Sequence, residues 1–303
     1  MTKAPLFNLK IHWMEQVISF KLPIDEIIYR LKGGLLASYS KGQNNTAPAQ
    51  HELLDEFLRF VYLVVVNGPL QALEKISRPD GSINLPGNED SFLDNGWDLI
   101  GPYWPAIETP TNYGLTMMAF LHFIKQEKVR TGTWLSLGSG PGIYETYLAR
   151  RFPQTHITSL DIAKSMADFH ENLKLRYAKN QTTLCQSIEM LPQKDQSCDL
   201  VICNNSIQWL ERNGIKKTVS EIQRVLKKGG HLFLVVHPHA MQLQATGEQV
   251  DISIQRDMKT TGDEVFELFK AAKLTAMTKR TLAGSNTGQL GSHTYRVFFH
   301  FKK

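Results

Sequence analysis

The sequence predicts an α/β fold, in which a helical extension precedes a doubly wound sheet of seven strands. From about Thr133 onward, short apolar runs alternate with amphipathic segments of helical period, the pattern of a parallel sheet covered by helices on both faces. Before this point the strand pattern is missing, and apolar residues recur at helical spacing in Ile24–Leu36 and Glu52–Val66. We therefore expect a helical region at residues 1–110 and a sheet domain at residues 111–303.

The strands and helices of the sheet domain can be placed in order along the chain. The predicted strands are Thr133–Leu137, His156–Asp161, Thr182–Gln186, Asp199–Cys203, His231–Val236, Leu274–Arg280 and Thr294–Phe301. The predicted helices are Ile143–Phe152, Ser165–Ala178, Lys216–Leu226 and Asp263–Lys273. The third helix is followed by Lys227-Lys228-Gly229-Gly230, which places cations and then glycine where helix C-caps prefer them.

Composition indicates a globular chain. The sequence has 303 residues, 42% of them hydrophobic and 21% charged, with a net charge of +5 from 34 Lys and Arg against 29 Asp and Glu. These values exclude collagen, coiled coils and disordered chains. The longest apolar run, Phe60–Val66, is far shorter than a membrane-spanning helix, and the N-terminus lacks the apolar core of a signal peptide. We expect a cytoplasmic protein.

The three cysteines do not form a recognisable pattern. Cys185, Cys198 and Cys203 are odd in number, have no CxxC spacing, and lie in or beside apolar strand segments. We expect reduced thiols in the core, and neither a disulfide framework nor a metal site.

A glycine-rich turn carries the main functional signal. The first predicted strand runs into Gly138-Ser139-Gly140-Pro141-Gly142 and then directly into a helix. Glycines allow close approach of a ligand to the backbone, and a helix N-terminus offers unpaired N–H groups. Asp161 ends the second strand 161 − 142 = 19 residues later, where doubly wound folds place an acid on a ribose diol. A dinucleotide fingerprint would need glycine at position 143 in place of Ile143.

Five segments in this order resemble the motifs of the class I S-adenosylmethionine-dependent methyltransferases, in the branch of ubiquinone and menaquinone methyltransferase-like enzymes. The segments are Leu135–Gly142, Ser159–Met166, Ser187–Pro192, Asp199–Leu210 and Glu221–Gly230. The resemblance covers residues 130–303 and implies a Rossmann-like fold, with S-adenosylmethionine as cofactor, S-adenosylhomocysteine as product and no metal.

The resemblance also implies roles for individual residues. The cofactor would rest on a loop of Gly138, Ser139, Gly140 and Gly142. Asp161 would hold the ribose hydroxyls and Ile162 would pack on the adenine. Ser187 and Ile188 would lie at the adenine edge, with a backbone N–H from Ile188, and Asn204 would face the methionine portion. The structural alternatives are a tight turn for the glycines and plain core positions for Ile162 and Ile188.

Two positions depart from the family pattern. The family usually has an acid at the position of Ser136, where it orients the glycine loop and sometimes the cofactor ammonium, and often one at Ser187. Each serine replaces a charge-assisted hydrogen bond by a neutral one, at a cost of about 1 kcal/mol. Cofactor binding is expected to survive both changes.

The methyl acceptor is indicated by loops at the predicted active-site edge. Ser206-Ile207-Gln208-Trp209 is similar to the loop of carboxyl methyltransferases that act on trans-aconitate and malonyl thioester, so Trp209 would contact substrate or be a core residue. His237 and His239 follow the fifth strand and could deprotonate a hydroxyl, or only cap the strand end. Tyr103 and Trp104, with Trp97, could line the substrate pocket or only join the helical region to the sheet.

The resulting hypothesis is a methyltransferase that acts on an oxygen, carboxyl or hydroxyl, of a small metabolite. The alternative is a protein of the same fold that binds the cofactor without methylating, as a binding module or a cyclase-type enzyme. No basic stripe interleaved with aromatic residues is present, so nucleic acid is not an expected partner. The apolar runs are too short to span a bilayer, so a membrane is not an expected partner either. Residues 1–110 would cover the active site or mediate a homodimer.

Overall fold

The computed structural model describes residues 51–76, 96–107, 110–236, 262–285 and 293–303. The predicted helix Ile24–Leu36 lies outside these ranges. Within the described ranges, one sheet contains seven strands: β1 (Gly132–Leu137), β2 (Thr155–Asp161), β3 (Gln181–Cys185), β4 (Cys198–Asn204), β5 (Leu226–Val236), β6 (Thr275–Ser285) and β7 (His293–Lys302). All seven strands that the sequence predicts are present, with ends that differ by a few residues.

The strand order is β3-β2-β1-β4-β5-β7-β6. Strands β1 to β5 pair in parallel, whereas β7 is antiparallel to both β5 and β6. The sequence pattern predicts a parallel sheet, and β7 is the exception. Residues 286–292 alone separate β6 from β7, and a parallel connection needs about a dozen residues or more.

Helices cover the sheet. In chain order they are α1 (His51–Val66), α2 (Pro69–Ile76), the single turn α3 (Trp104–Ile107), α4 (Pro110–Glu127), α5 (Ile143–Arg151), α6 (Lys164–Tyr177), α7 (Arg212–Val225) and α8 (Gly262–Ala271). A 3₁₀ turn at Ile207–Trp209 follows β4. No helix in the described ranges is long and apolar enough to cross a membrane.

Each face of the sheet has its own apolar core, because side chains alternate along the strands. On β1, Trp134 faces the core shared with α1, α4 and α5. The next residue, Leu135, faces the opposite core, which α7 and α8 cover. The two layers explain why the central strands carry buried apolar residues on both faces.

The helices before β1 are packed directly on the sheet domain. Phe57 of α1 lies in the same core as Trp134, and the Tyr147 hydroxyl on α5 donates to the carbonyl of Leu53 at 2.8 Å. Helix α4 spans the expected boundary, since it begins at Pro110. The division into two regions at residues 110 and 111 stays a prediction.

Two local expectations are wrong. Residues 227–230 were expected to cap a helix, but α7 ends at Val225 and these residues are the start of β5. Gly229 donates to the carbonyl of Lys303 at 2.7 Å, so pairing with the chain end extends the strand. Cys185 is exposed and is no core thiol, although Cys198 and Cys203 are buried; all three are free.

Candidate active site

A cavity of about 190 Å³ lies at the carboxyl ends of β1, β2 and β4. This is the place where doubly wound sheets bind ligands, because the strand order reverses between β1 and β4. The sequence-predicted cofactor residues on its wall are Gly138, Ser139, Gly140, Asp161, Ile162, Ser187, Ile188 and Asn204. The structure therefore brings all of them together except Gly142, which starts the helix behind the loop.

The glycine loop has a shape that other residues adopt only with strain. Gly138, Gly140 and Gly142 have φ angles of 61°, 55° and 69°. A Cβ atom on Gly138 would lie 2.3 Å from the Ser206 Cβ, and one on Gly142 would lie 2.0 Å from the His170 ring. Gly140 differs, since the nearest atom to its added Cβ is the sulfur of Met166 at 4.0 Å. Packing requires two of these glycines, whereas Gly140 faces the open cavity.

Asp161 fixes the loop through both carboxylate oxygens. Its Oδ2 accepts the N–H of Gly140 at 2.7 Å, and its Oδ1 accepts the N–H of Ala163 at 2.9 Å. Burial raises the pKa of Asp161, although the backbone donors oppose this shift. The carboxylate thus shapes the turn from within the protein. Its role toward a ribose stays a prediction.

Asp161→Asn is expected to destabilise the protein by ~1–3 kcal/mol, because the new amide group faces one of the two N–H donors and leaves it without an acceptor. Urea unfolding would measure the loss. Asp168→Asn is the control, since the Asp168 side chain is 61% exposed and forms an ion pair with Lys164 on the surface of α6. Equal losses in the two variants would contradict the structural role given to Asp161.

The cavity has one apolar end. Ile162 is 70% exposed, an unusual state for a large aliphatic side chain, and it lies on the cavity wall with the buried Ile188. The Ser187 hydroxyl accepts the N–H of Glu189 at 3.2 Å. A flat apolar group could bind against Ile162 and cover it.

Three buried acceptor atoms on the cavity wall lack protein donors. Asn204 Oδ1, Asn205 Oδ1 and Glu145 Oε2 are each buried without a hydrogen-bond partner among the described residues. Buried polar atoms are normally paired, so these atoms indicate a polar ligand. Sequence analysis missed Glu145. The sequence held one signal for this residue, the serine at position 136, where the family usually has an acid. In the structure the Ser136 hydroxyl donates to Glu145 Oε1 at 2.6 Å.

The aromatic residues form the other wall. Trp97 contacts Trp104 and Trp209 edge to face, with ring centroids 5.3 and 5.4 Å apart, and all three line the cavity. The Trp209 indole donates to the carbonyl of Asn205 at 2.9 Å. The aromatic segment that contains Trp97 and Trp104 also joins the helical region to the sheet domain, because Asp98 Oδ1 accepts the N–H of Ser165 at 2.7 Å. The aromatic segment therefore both lines the cavity and joins the helical region to the sheet domain.

Other predicted residues lie elsewhere. Tyr103 packs against the apolar core that Trp134 shares with α1, α4 and α5, and it is not among the described residues that line the cavity. His237 and His239 lie outside the described residues, as does the segment 240–261. They follow β5, which ends at Val236 and pairs through Val235 with Asn204 of β4. Their proposed chemistry stays a prediction.

One cluster in the described ranges could hold a metal ion by distance alone, namely Glu127, His231 and His300. It is not part of the cavity, since His231 pairs with Leu200 early in β4. His231 Nδ1 and His300 Nε2 are 2.9 Å apart, which is a hydrogen-bond distance. Burial lowers the pKa of both rings, so a neutral, hydrogen-bonded pair accounts for this cluster.

Comparisons with known proteins find that part of the chain is similar to methyltransferases. Residues 135–234 match the family described as a methyltransferase domain. The chain is 36% identical over 98 residues to a malonyl-[acyl-carrier protein] O-methyltransferase of Methylococcus capsulatus, covering 32% of this chain and 34% of the relative. It is also 36% identical over 140 residues to the protein so named in a Methylovorus species, covering 43% and 47%. The chain thus spans less than half the length of these relatives.

The fold also matches a solved structure. The crystal structure of the PH0226 protein from Pyrococcus horikoshii superposes with a TM-score of 0.51 at 18% identity, covering 64% of this chain and 92% of that one. At this level of identity the match concerns the fold, which agrees with the Rossmann-like sheet described above.

Proposed function

We propose that this chain, which carries a class I S-adenosylmethionine-dependent methyltransferase domain at residues 135–234, methylates an oxygen atom of a small-molecule acceptor. The products would be the methylated acceptor, a carboxyl ester or a methyl ether, and S-adenosylhomocysteine. The observation that carries the proposal is the cavity at the switch point, which joins the glycine loop, the Asp161 carboxylate and the exposed Ile162. The O-methyltransferase relatives support oxygen as the acceptor atom.

The residues of the cavity fit S-adenosylmethionine, which supplies an electrophilic methyl group on a positively charged sulfur when bound. Two acids, Glu145 and Asp161, line the cavity, and no Lys, Arg or His lies among its described lining residues. This charge balance favours a cationic ligand. Gly140 leaves space beside the backbone, and Asn204 Oδ1 offers an acceptor.

Each part of the wall then has a task. Ile162 and Ile188 bind the base by apolar contact, and the remaining lone pairs of Asp161 accept the ribose hydroxyls. Trp97, Trp104 and Trp209 exclude water from the acceptor side. A carboxylate acceptor is already ionised and needs only orientation, whereas a hydroxyl needs a base. His237 or His239 would supply that base.

Calorimetric titration tests the cofactor, and a transfer assay tests the acceptor. We expect micromolar binding of S-adenosylmethionine and S-adenosylhomocysteine, and none of NAD or ATP. Labelled methyl transfer would then be measured to a malonyl thioester and to a panel of carboxylate and hydroxyl acceptors. Failure to bind either sulfur nucleotide would refute the proposal. Binding without transfer to any acceptor would favour the protein that binds without methylating.

A pair of glycine variants tests whether the cavity holds this ligand. Gly140 and Gly229 have φ angles of 55° and 78°, and a Cβ on either has no neighbouring atom closer than 4.0 Å. Alanine at each should therefore cost a similar ~1–2 kcal/mol of stability. Gly140→Ala alone should weaken S-adenosylhomocysteine binding, by about tenfold, because only its methyl group enters the cavity. Similar affinities in the two variants would place the ligand elsewhere.

A further inference from the structure

Glu145 is a buried carboxylate with an unfinished set of hydrogen bonds. It lies in the first turn of α5, is 2% exposed, and forms part of the cavity wall. Ser136 donates to Oε1, while Oε2 has no partner within the described part of the chain. Burying a carboxylate in this state is costly unless a ligand completes its hydrogen bonds.

The chemistry of the missing partner follows from the surroundings. The carboxylate needs a donor, and the described residues on the cavity wall include no cationic side chain. Glu145 also lies at the β1 end of the cavity, since its partner Ser136 is only two residues before Gly138. The apolar end, with Ile162, suits the base. The part of the wall formed by β1 and α5 therefore suits a cationic donor that belongs to the same ligand.

We infer that the Glu145 carboxylate is the subsite for the ammonium group in the amino-acid portion of the cofactor, an inference that rests on the proposed function. An ammonium carries three N–H donors and forms charge-assisted bonds to carboxylate oxygens. The acid expected at position 136 is thus supplied from α5, and Ser136 serves as the donor that holds it in place. Glu145 contacts the ligand directly in this arrangement.

Protonation gives the site a pH dependence. Burial raises the pKa of Glu145 to about 7, and the negative charge of Asp161 adds to this, although the Ser136 hydrogen bond opposes it. Among the described lining residues, the other titratable groups are Tyr113 and Tyr144, and His170 packs behind Gly142. An ammonium ligand binds the ionised form, so binding below pH 7 releases a proton and affinity rises with pH.

Two ligands that differ in the ammonium group test the inference. S-adenosylhomocysteine has the amino-acid portion, whereas 5′-methylthioadenosine has the same nucleoside and sulfur without it. With the wild-type protein, affinity for S-adenosylhomocysteine should rise by about eightfold from pH 6.0 to 7.5. Affinity for 5′-methylthioadenosine should stay constant. Any effect of Asp161 on the ribose is common to both ligands and cancels in the ratio.

The variant Glu145→Gln keeps the shape of the side chain and removes its charge. We expect it to lower the affinity for S-adenosylhomocysteine by about tenfold or more and the affinity for 5′-methylthioadenosine by less than about twofold. Ser187→Ala is the matched control, because Ser187 lines the base end of the cavity and any effect should be equal for the two ligands. Ser136→Asp combined with Glu145→Ser should restore the preference for S-adenosylhomocysteine by returning the acid to the strand.

The outcomes separate the inference from the proposed function. A wild-type protein that binds neither ligand would refute both. A wild-type protein that binds both, with equal losses or no loss in Glu145→Gln, would overturn the inference alone. Slower methyl transfer at unchanged S-adenosylhomocysteine affinity would also overturn it, and would make Glu145 a base for the acceptor.

Discussion

Phe57→Ala is expected to lower the free energy of unfolding by ~3–5 kcal/mol, as for other fully buried aromatic residues. The Phe57 ring is fully buried between α1 and the sheet domain. It stacks on Tyr144 with centroids 5.6 Å apart, and meets Tyr147 and Tyr113 edge to face at 5.1 and 6.5 Å. Because Tyr113 and Tyr144 also line the cavity, the loss should weaken ligand binding as well.

The same variant tests whether the helices before β1 fold together with the sheet. Denaturant unfolding of the wild type should show one transition. Phe57→Ala should shift this whole transition to a lower denaturant concentration. Leu63→Ala is the control on the same helix, because Leu63 is 46% exposed and should change stability by less than about 1 kcal/mol. Two separate transitions, with only the first moved by Phe57→Ala, would show that residues 1–110 form an independent unit.

The sheet could be predicted from sequence because its signals are local. Apolar runs of strand length, glycines after β1 and an acid at the end of β2 can each be read within a few residues, and they located part of the cavity wall. Helix α4 gave no such signal. Its buried residues include Met118, Phe120, Leu121 and Phe123, which lie on several sides, so no single apolar stripe marks it as a surface helix.

The features that sequence analysis missed depend on contacts between distant residues. Residues 227–230 are a strand because the chain end at Lys303 pairs with them. Glu145 is part of the site because α5 begins directly after the glycine loop and turns this side chain toward Ser136. A serine at 136 could be noticed in the sequence, but the compensating acid could be recognised only in three dimensions.

Acid should weaken the fold through His170. This ring is fully buried, with Nε2 3.0 Å from Gln181 Oε1 and Nδ1 3.5 Å from the Ser139 hydroxyl. Burial lowers its pKa from 6.5 to about 4; the Gln181 hydrogen bond and Glu171 oppose the shift, and Lys174 adds slightly to it. Between these values the unfolded chain binds a proton that the native protein does not. The stability contributed by the neutral ring is complete above pH 6.5 and falls by about 3 kcal/mol as the pH drops to 4.

A variant is needed to isolate this effect, because other groups titrate in the same range. The His300 pKa is also lowered to about 4, while Glu145, with its pKa raised to about 7, favours the folded state at low pH. Glutamine at position 170, in His170→Gln, can still form hydrogen bonds, but its side chain does not titrate between pH 4 and 7.5. We expect it to be less stable than wild type at pH 7.5 and to regain about 3 kcal/mol relative to wild type by pH 4. A constant difference across this range would mean that His170 is protonated equally in both states. In that case the glycine loop would tolerate a charged ring against Gly142, which its close packing argues against.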